Sequence, residues 1–372
     1  MSYFLRRLPL SRLLLLCGVV VVAGVSVTAL AFALGTGPTP PPKPLAEAVH
    51  DALAAAPVEG VSARIQLTDH LLEGANLASG GSGGGGQLSS SPLLTGASGR
   101  LWIAKDGRVR LELQSEKGDT QIYYDGHTVS LYDASSNTLY RYTIPARAGG
   151  AGDGSGSGTS TAHHEVPTVA KIEEAISQLK HASVSGATPT DVAGQAAYTV
   201  RVSPNEGGSL IGGAELSWDA VHGVPLRAAI YSSTSSSPAI ELAATEVSYG
   251  PVDGSVFEFT PPANAKIEEI VAPGEGADAT APSTHSGERP QVTTHGHGIT
   301  AVAVIESKAK TGAGASASTL PEGLQTVKID GVEASELPTE LGTLLSFERS
   351  GVRYLLAGAV GPAAVEAIAK GL

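Results

Sequence analysis

The chain has 372 residues, of which 42% are hydrophobic and 16% charged, so it can form two domains with a buried core without disulfide bonds. Its only cysteine, Cys17, lies in an apolar N-terminal run, which excludes a disulfide framework, a thiolate nucleophile and a cysteine zinc site elsewhere. The formal net charge of −12, without a basic run, argues against a nucleic-acid partner.

The N-terminal segment is typical of a membrane anchor. Leu13–Leu34 comprises 22 residues without a charge. At about 1.5 Å of rise per residue, a helix of that length spans a hydrocarbon layer of roughly 30 Å. Arg6, Arg7 and Arg12 precede it, so the positive-inside rule predicts a cytoplasmic stub at 1–12 and a single-pass signal-anchor at 13–34 in the cell membrane. The remainder, with a net charge of −15 once the three arginines are removed from the −12, is then extracytoplasmic.

The sequence leaves two other fates of this segment open. Ala31-Phe32-Ala33 has small residues where a signal peptidase cleaves, so the segment could be removed after export. Cys17 could instead be lipidated, but Leu14-Leu15-Leu16 before it lacks the small residue that lipoprotein signals require. We favour the uncleaved anchor because the apolar run exceeds the length of an ordinary signal-peptide core.

A proline-rich spacer at 35–44 is expected to be stiff and extended, and a short helix at Leu45–Ala56 follows it. Val61–Leu67 alternates polar and apolar residues, which predicts the first strand. Two Gly/Ser-rich runs, around Gly80–Gly86 and at Gly149–Thr161, are expected to be flexible loops.

Period-two alternation over most of residues 99–262 predicts a large antiparallel sheet with a single apolar face. Turns such as Asp125-Gly126 join its strands, because glycine supplies the positive φ of hairpin turns. An amphipathic helix is predicted at Pro167–His181. The further strands predicted for this sheet are Gly99–Lys105, Arg108–Gln114, Thr120–Tyr124, His127–Asp133, Thr138–Ile144, Ala196–Val202, Ala214–Asp219, Pro225–Tyr231, Ala239–Tyr249 and a closing strand at Val256–Pro262.

About ten strands exceed the usual sheet, so we expect the sheet at 45–272 to curl into a half-barrel with the two helices as its lid. A polar linker at 273–294 then leads to a small C-terminal α+β domain at 295–372. The predicted fold class is therefore α+β. The elements predicted for the small domain are strands at Ile299–Ser307, Leu324–Ile329, Gly342–Glu348 and Arg353–Ala359 and a final helix at Pro362–Lys370.

Distributed motifs in the larger domain resemble the lipoprotein-carrier superfamily, the LolA-like proteins. The motifs are the hairpin of Gly99–Lys105 with Arg108–Leu113, the turn Ile122–His127, the strand Val129–Asp133, and the runs Ala197–Val200, Leu216–Asp219, Gly223–Leu226 and Phe257–Pro262. This resemblance implies a half-barrel sheet lidded by helices, enclosing an apolar cavity for an acyl chain or an amphipathic peptide. The chain departs from the pattern in its N-terminal anchor and its two Gly/Ser loops, which puts shuttling between membranes in doubt.

The C-terminal part is similar to the small second domain of RseB-like periplasmic regulators, which bind anti-sigma factors. Gly298–Val304, Thr343–Phe347 and Gly358–Ala369 carry that likeness. The resemblance implies a single-pass membrane anti-sigma factor as a possible partner.

The candidate ligand-binding residues are the apolar positions of the predicted sheet face. They are Leu101, Ile103, Val109, Leu111, Leu113, Ile122, Val200, Val202, Leu216, Trp218, Ile230 and Leu242. The alternative is an ordinary core packed by the two helices, because alternation reports burial and not an empty cavity. Trp102 has the opposite parity, which favours packing under a loop over an exposed contact patch.

No motif predicts an enzyme, a cofactor or a metal site. The pairs His163-His164 and His295-Gly296-His297 lie in glycine-rich segments without a carboxylate at ligand spacing. Gly80-Gly81-Ser82-Gly83-Gly84 matches a nucleophile-elbow pattern, but it lies in a glycine run without the preceding strand that such an elbow needs.

The sequence therefore predicts a membrane-anchored, extracytoplasmic, non-enzymatic protein that binds a lipid or lipoprotein acyl chain, as a carrier or presenter. The alternative is an RseB-like envelope-stress regulator that binds the extracytoplasmic part of an anti-sigma factor. An enzyme acting through Ser82 is the most distant alternative.

Overall fold

The computed structural model describes residues 37–72, 96–116, 118–144, 166–270, 291–309, 320 and 324–372. The predicted anchor at Leu13–Leu34 and both Gly/Ser runs lie outside these residues, as do Ser82 and His163-His164. Among the helices in the described ranges, none has the length and apolar character needed to span a bilayer.

The described residues between 37 and 270 form two α-helices and thirteen strands. The helices are α1 (Leu45–Ala54) and α2 (Val169–Ser177), and α2 follows β6 in the chain. The strands are β1 (Gly60–Asp69), β2 (Ala97–Ala104), β3 (Val109–Ser115), β4 (Gly118–Tyr124), β5 (Thr128–Asp133), β6 (Thr138–Thr143), β7 (Ala182–Val184), β8 (Thr188–Val192), β9 (Gln195–Pro204), β10 (Ile211–Asp219), β11 (Pro225–Ser232), β12 (Pro238–Tyr249) and β13 (Lys266–Glu269).

All thirteen strands belong to one sheet, the large sheet, whose order is β13-β6-β5-β4-β3-β2-β1-β12-β11-β10-β9-β7, with β8 also paired to β9. Neighbours are antiparallel except β13, which runs parallel to β6. The long-range pairing of β1 with β12 joins the β2–β6 meander to the β9–β12 meander. The prediction of one large, mainly antiparallel sheet is confirmed.

The end of the large sheet that carries β8–β12 curls strongly. Residues of β8 approach β12 to within 8 Å between Cα atoms, although β9, β10 and β11 lie between them in the pairing order. Across this curl the Tyr249 hydroxyl donates a hydrogen bond to Asp219 Oδ2 (2.7 Å). Since Tyr249 pairs with Val61 and shares its apolar face, that face is the concave one.

The two helices lie together at this curled end. The His50 imidazole of α1 donates from Nδ1 to the Pro167 carbonyl oxygen just before α2 (2.8 Å). Thr168 caps α2, with its Oγ1 accepting a hydrogen bond from the Lys171 amide. The predicted helical lid is thus present, although α2 is shorter than predicted from Pro167–His181.

The C-terminal part forms a separate six-stranded antiparallel sheet, the small sheet, with the order β14-β15-β19-β18-β17-β16. Its elements are β14 (Gln291–His295), β15 (Val302–Lys308), β16 (Gln325–Ile329), β17 (Val332–Thr339), β18 (Gly342–Arg349), β19 (Val352–Gly358) and the helix α3 (Pro362–Lys370). One face packs against Val365 and Ala369 of α3 around a buried core that includes Phe347. The predicted α+β class of this part and its final helix are confirmed.

Hydrogen bonds connect the two sheets. The Leu210 amide and the Ser209 hydroxyl both donate to the Ala359 carbonyl oxygen, at 2.8 and 3.0 Å. On another side, the Glu340 amide donates to the Leu71 carbonyl oxygen (3.0 Å). Two turns of the C-terminal part are therefore bonded to the segments next to β1 and β10 of the large sheet.

The predicted closing strand at Val256–Pro262 is wrong. Residues Gly254–Phe257 form a 3₁₀ turn, and the segment that follows has no strand partner before β13. Phe259 instead stacks on Tyr123 with ring centroids 4.3 Å apart, on the face opposite the apolar one. The alternating aromatic residues of this segment therefore pack on a face of the sheet, and the segment does not pair with a strand edge.

Candidate functional site

The apolar residues predicted for the first half of the large sheet share one face. Leu101 of β2 lies opposite Leu111 of β3, which lies opposite Ile122 of β4. Ile103 lies opposite Val109 in the next pair of the same face. Since directly opposite residues in antiparallel strands point to the same side, the five side chains form two neighbouring rows of the concave face.

The second half of the sheet continues this face. Leu242 of β12, Leu216 of β10 and Val200 of β9 lie in one row, with Ala228 of β11 between the first two. A second row runs from Ile230 through Ala214 to Val202. The register therefore brings these predicted positions together on the concave side.

The exposure of these side chains divides the concave face into filled and open parts. Leu113 and Trp218 are enclosed, with exposed fractions of 1% and 5%. Leu216, Ile230 and Val202 remain 41%, 37% and 37% exposed. The other seven predicted residues are half-buried. The concave face is therefore not completely plugged by the protein's own side chains.

Helix α1 fills the curled end of the hollow. Ala48 of α1 packs in one buried cluster with Tyr198, Trp218 and Ala187. The Tyr198 hydroxyl donates a hydrogen bond to the Pro41 carbonyl oxygen (2.6 Å), which fixes the segment that enters α1. The indole of Trp218 is thus part of a packed core, and the open surface begins two residues earlier on its strand, at Leu216.

Two cavities border the open part of the concave face. A central cavity of about 190 Å³ lies over β1, β2, β11 and β12, and Leu101, Ile103, Leu242 and Ala228 are among its lining residues. A larger cavity of about 510 Å³, the junction cavity, lies where β9 and β10 meet the turn before β15. Pockets for small ligands usually measure about 300–1,000 Å³, so the junction cavity alone is already of ligand size.

The opposite face of the curled half carries charged side chains in place of apolar ones. Arg227 donates to Glu215 Oε2 (2.8 Å) from Nη1 and to Glu241 Oε2 (2.9 Å) from Nε. Tyr231 also donates to Glu215 Oε2 (2.7 Å). Partial burial opposes ionisation of Glu215, yet the hydrogen bonds from Arg227, Tyr231 and Arg201 hold the pKa of its carboxyl below its ordinary value. This polar network leaves the concave side as the face suited to an apolar ligand.

Trp102 lies on that opposite face, as its parity predicts. It is half-buried, and the Arg110 guanidinium lies 5.8 Å from its ring. Arg110 also donates to the Val256 carbonyl oxygen (2.6 Å), so the segment before β13 is held against this part of the sheet. Trp102 therefore packs against an arginine side chain and is not part of a fully exposed patch.

The described residues offer no constellation for metal chemistry. No group of three or more His, Cys, Asp or Glu side chains in the described ranges could hold a metal ion. His295 and His297 flank Gly296 in the turn between β14 and β15, and His297 lines the junction cavity. The sequence pattern gave no signal for this cavity, because its walls come from separate segments, around residues 181–214 and 297–299.

Residues 87–151 match the model of a family described as "Predicted periplasmic protein (DUF2092)", which is less than half of the chain. No curated protein matches the sequence. The chain is similar to MucB in the complex structure of Pseudomonas aeruginosa MucA/MucB, with 14% identity, a TM-score of 0.42, and coverage of 87% of this chain and 96% of that chain. It is also similar to a putative outer membrane lipoprotein-sorting protein domain from Vibrio parahaemolyticus, with 10% identity, a TM-score of 0.21, and coverage of 57% and 95%.

A third similar structure is a LolA superfamily protein from Nitrosomonas europaea, with 7% identity, a TM-score of 0.19, and coverage of 84% of this chain and 90% of that chain. The matched structures include a lipoprotein-sorting protein domain and a LolA superfamily protein, and the resemblance stated from the sequence stays a prediction. Values of this size do not transfer a ligand or a partner to this chain.

Proposed function

We propose that this protein is an extracytoplasmic binding protein that holds an acyl chain of a lipid or lipoprotein against the concave face of its large sheet. The observation that carries the proposal is the exposure of Val202, Leu216 and Ile230 within a continuous apolar face. Large apolar side chains left open in a concave, partly roofed surface are typical of a ligand site.

Apolar burial is sufficient to drive such binding. Each CH₂ group transferred from water to an apolar site contributes about 0.8 kcal/mol before the entropic cost of binding is subtracted. A long acyl chain contains many such groups, so the site needs no charged partner on the concave face. The polar network around Arg227 on the other face fits this division of the sheet.

We place the protein in the membrane with its sheets on the extracytoplasmic side. The apolar run Leu13–Leu34 and the three arginines before it support this placement, and the match to a family described as periplasmic agrees with it. A tethered protein would present or transfer its ligand near one membrane and would not shuttle between two.

The test is native mass spectrometry of the full chain, purified from its own host in a detergent that is removed in the gas phase. We expect an acyl-bearing lipid or lipoprotein to accompany the protein. Leu216→Glu should abolish this co-purification, because it places a charge on the exposed concave face without emptying a packed core. Thr143→Glu, at an exposed position on the other face of β6, is the matched control and should retain the ligand.

Absence of any lipid from the wild-type protein, or equal retention by the Leu216 and Thr143 variants, would refute the acyl-binding proposal. A measured mass identifies the ligand as lipid or lipoprotein.

A second candidate function is docking of the extracytoplasmic part of a membrane anti-sigma factor. The observation that favours it is the junction cavity, which has walls from both sheets and lies in the part of the molecule where Ser209 and Leu210 bond to Ala359. A pull-down from membranes should then recover a single-pass protein, and binding should weaken when acyl lipid is added. Recovery of lipid without any such protein would contradict this second function and support acyl-chain binding alone.

A further inference from the structure

The junction cavity contains six apolar lining residues and a small polar rim. The apolar residues are Ala182, Val202, Pro204, Ile211, Ala214 and Ile299. The first five belong to β7, β9 and β10 of the large sheet, whereas Ile299 lies in the turn before β15 of the small sheet. A contact between the two sheets therefore closes one side of this cavity.

This cavity is continuous with the open part of the concave face. Val202 and Ala214 line it and lie directly opposite each other in the register of β9 and β10. Ile230 lies opposite Ala214 on the next strand, and its side chain is exposed. A chain that leaves the cavity along this row meets apolar side chains without interruption.

Polar groups at the cavity come from both sheets. His181 Nδ1 lies 2.7 Å from Glu206 Oε1, and both side chains line the cavity. His297 lines it from the small-sheet side. Gly298 has a φ of +62°, which favours glycine, and a Cβ atom there would lie 2.9 Å from Glu206 Oε2, so this turn comes close to the carboxylate.

The electrostatics of the rim disfavour an anion. Glu206 is the one carboxylate among the described lining residues, and no lysine or arginine of the described ranges lines the cavity beside it. A fatty-acid carboxylate placed there would meet a like charge in a partly apolar site, which is unfavourable. A hydroxyl or amide N–H would instead donate hydrogen bonds to Glu206 and to the imidazoles.

We propose that the junction cavity binds one acyl chain at its carbonyl end and selects a head group that is uncharged and donates hydrogen bonds. This inference rests on the proposed acyl-binding function. It adds the position of the carbonyl end of the acyl chain and the chemistry of its head group. Such a head occurs in a monoacylglycerol and in the amide-linked acyl chain of an acylated peptide.

The first experiment locates the site by photolabelling the purified full chain with diazirine-bearing monopalmitoylglycerol, followed by peptide mapping. We expect labels on peptides of β9 and β10. Ala214→Trp fills the junction cavity from an exposed position and should reduce labelling there about tenfold, a loss of about 1.4 kcal/mol in binding. Ala228→Trp, also exposed but lining the central cavity, tests whether the chain lies there instead, and Thr143→Trp, exposed on the other face of β6, is the matched control and should leave the label on β9 and β10.

The two cavity variants, Ala214→Trp and Ala228→Trp, separate the two proposals. Labelling that falls with Ala228→Trp and not with Ala214→Trp would overturn the junction site and retain the acyl-binding function. Labelling that neither variant changes, or that is absent in the wild type, would overturn both.

The second experiment tests the head group at a mildly alkaline pH, where a fatty-acid carboxyl is ionised. Diazirine-bearing palmitate, which has the same chain and an anionic head, should label β9 and β10 about tenfold less than the monoacylglycerol. Glu206→Gln should remove most of this difference, because it deletes the repelling charge and keeps the side-chain shape. Equal labelling by both probes in the wild type would overturn the head-group selection.

A palmitoylated peptide amide in the same assay distinguishes the two natural sources of this chemistry. Stronger labelling by the peptide indicates a lipoprotein, and stronger labelling by the monoacylglycerol indicates a lipid. Failure of both uncharged probes to compete with palmitate would contradict the proposed selection.

Discussion

Leu113 and Leu216 face the same concave side of the large sheet but have different surroundings. Leu113 is 1% exposed and packs with Ile65, Leu67 and Ala97. Leu216, on β10, keeps 41% of its surface exposed. Identical residue types in the same sequence pattern thus contribute to the core at one position and to an open surface at the other.

These surroundings predict different stabilities for two alanine variants. Leu113→Ala should lower the free energy of unfolding by about 2–5 kcal/mol, because it removes packed methyl groups and leaves a cavity. Leu216→Ala should cost less than about 1 kcal/mol, because water already reaches that side chain. Urea denaturation of the two variants measures both values, and equal losses would show that Leu216 is covered in solution.

Glu336 of β17 is a buried carboxyl in the core of the small sheet. Its side chain is 2% exposed, and Oε1 has no hydrogen-bond partner among the described residues. Burial, with a smaller contribution from the charge of Glu366 on α3, raises the pKa of Glu336 above its ordinary value. Gln325 approaches Oε2 from β16 at 3.4 Å, and Lys370 pairs with Glu366.

This raised pKa gives the small sheet a pH dependence of known sign. The folded state keeps its proton when the unfolded chain has lost it, so stability falls as pH rises above the unfolded pKa and through the folded one. Glu336→Gln should remove this loss and increase the hydrogen-exchange protection of β17 and α3 at neutral pH. Glu333→Gln, at an exposed position of the same strand, is the control and should change neither. Wild-type protection that does not fall between about pH 5 and pH 8 would contradict the assignment.

At the scale of elements, the position of α1 decides how much of the hollow is filled. Ala48 packs against Trp218, and the turn after β10 abuts the end of the helix. Gly223 in that turn has a φ of +67°, and a Cβ atom there would lie 2.2 Å from the Ala52 carbonyl oxygen. Only glycine therefore lets α1 dock at this depth.

Gly223→Ala should displace α1 and lower the free energy of unfolding by more than about 1–3 kcal/mol, since backbone strain and a backbone clash add. Gly194→Ala is the matched control, because Gly194 also has a positive φ (+73°) but faces open space. Gly194→Ala should lower the free energy of unfolding only by the cost of placing alanine at a positive φ. Thermal unfolding measures the difference, and equal melting temperatures of the two variants would show that α1 does not dock against this turn.

The segment that follows β12 shows why one element was predicted wrongly. Val256–Pro262 alternates apolar and polar residues as a strand does, with Phe257 and Phe259 two residues apart. In the fold, Tyr123 and Tyr132 already present an aromatic surface on the non-concave side, and Phe259 stacks there. Alternation cannot distinguish pairing with a strand edge from packing across a face, because both need every second side chain.

At the scale of the whole molecule, the proposed anchor sets the location of the binding surface. A charge at the centre of a membrane segment costs about 2.5–3.5 kcal/mol on insertion scales. Val21→Arg in the run Leu13–Leu34 should therefore move part of the protein from the carbonate-resistant membrane fraction to the soluble fraction. Val21→Leu is the matched control and should stay in the membrane fraction. A wild-type chain that carbonate extracts completely would contradict the uncleaved anchor.

The sequence by itself determined the sheet, its apolar face and the small α+β unit, because alternation and turn chemistry depend on neighbouring residues. Leu101, Leu111 and Ile122 share a row for that local reason. Whether a row is covered depends on which distant segment packs on it, and only the tertiary structure decided this. It placed α1 on Trp218 and left Leu216 open, and it built the junction cavity from segments about a hundred residues apart.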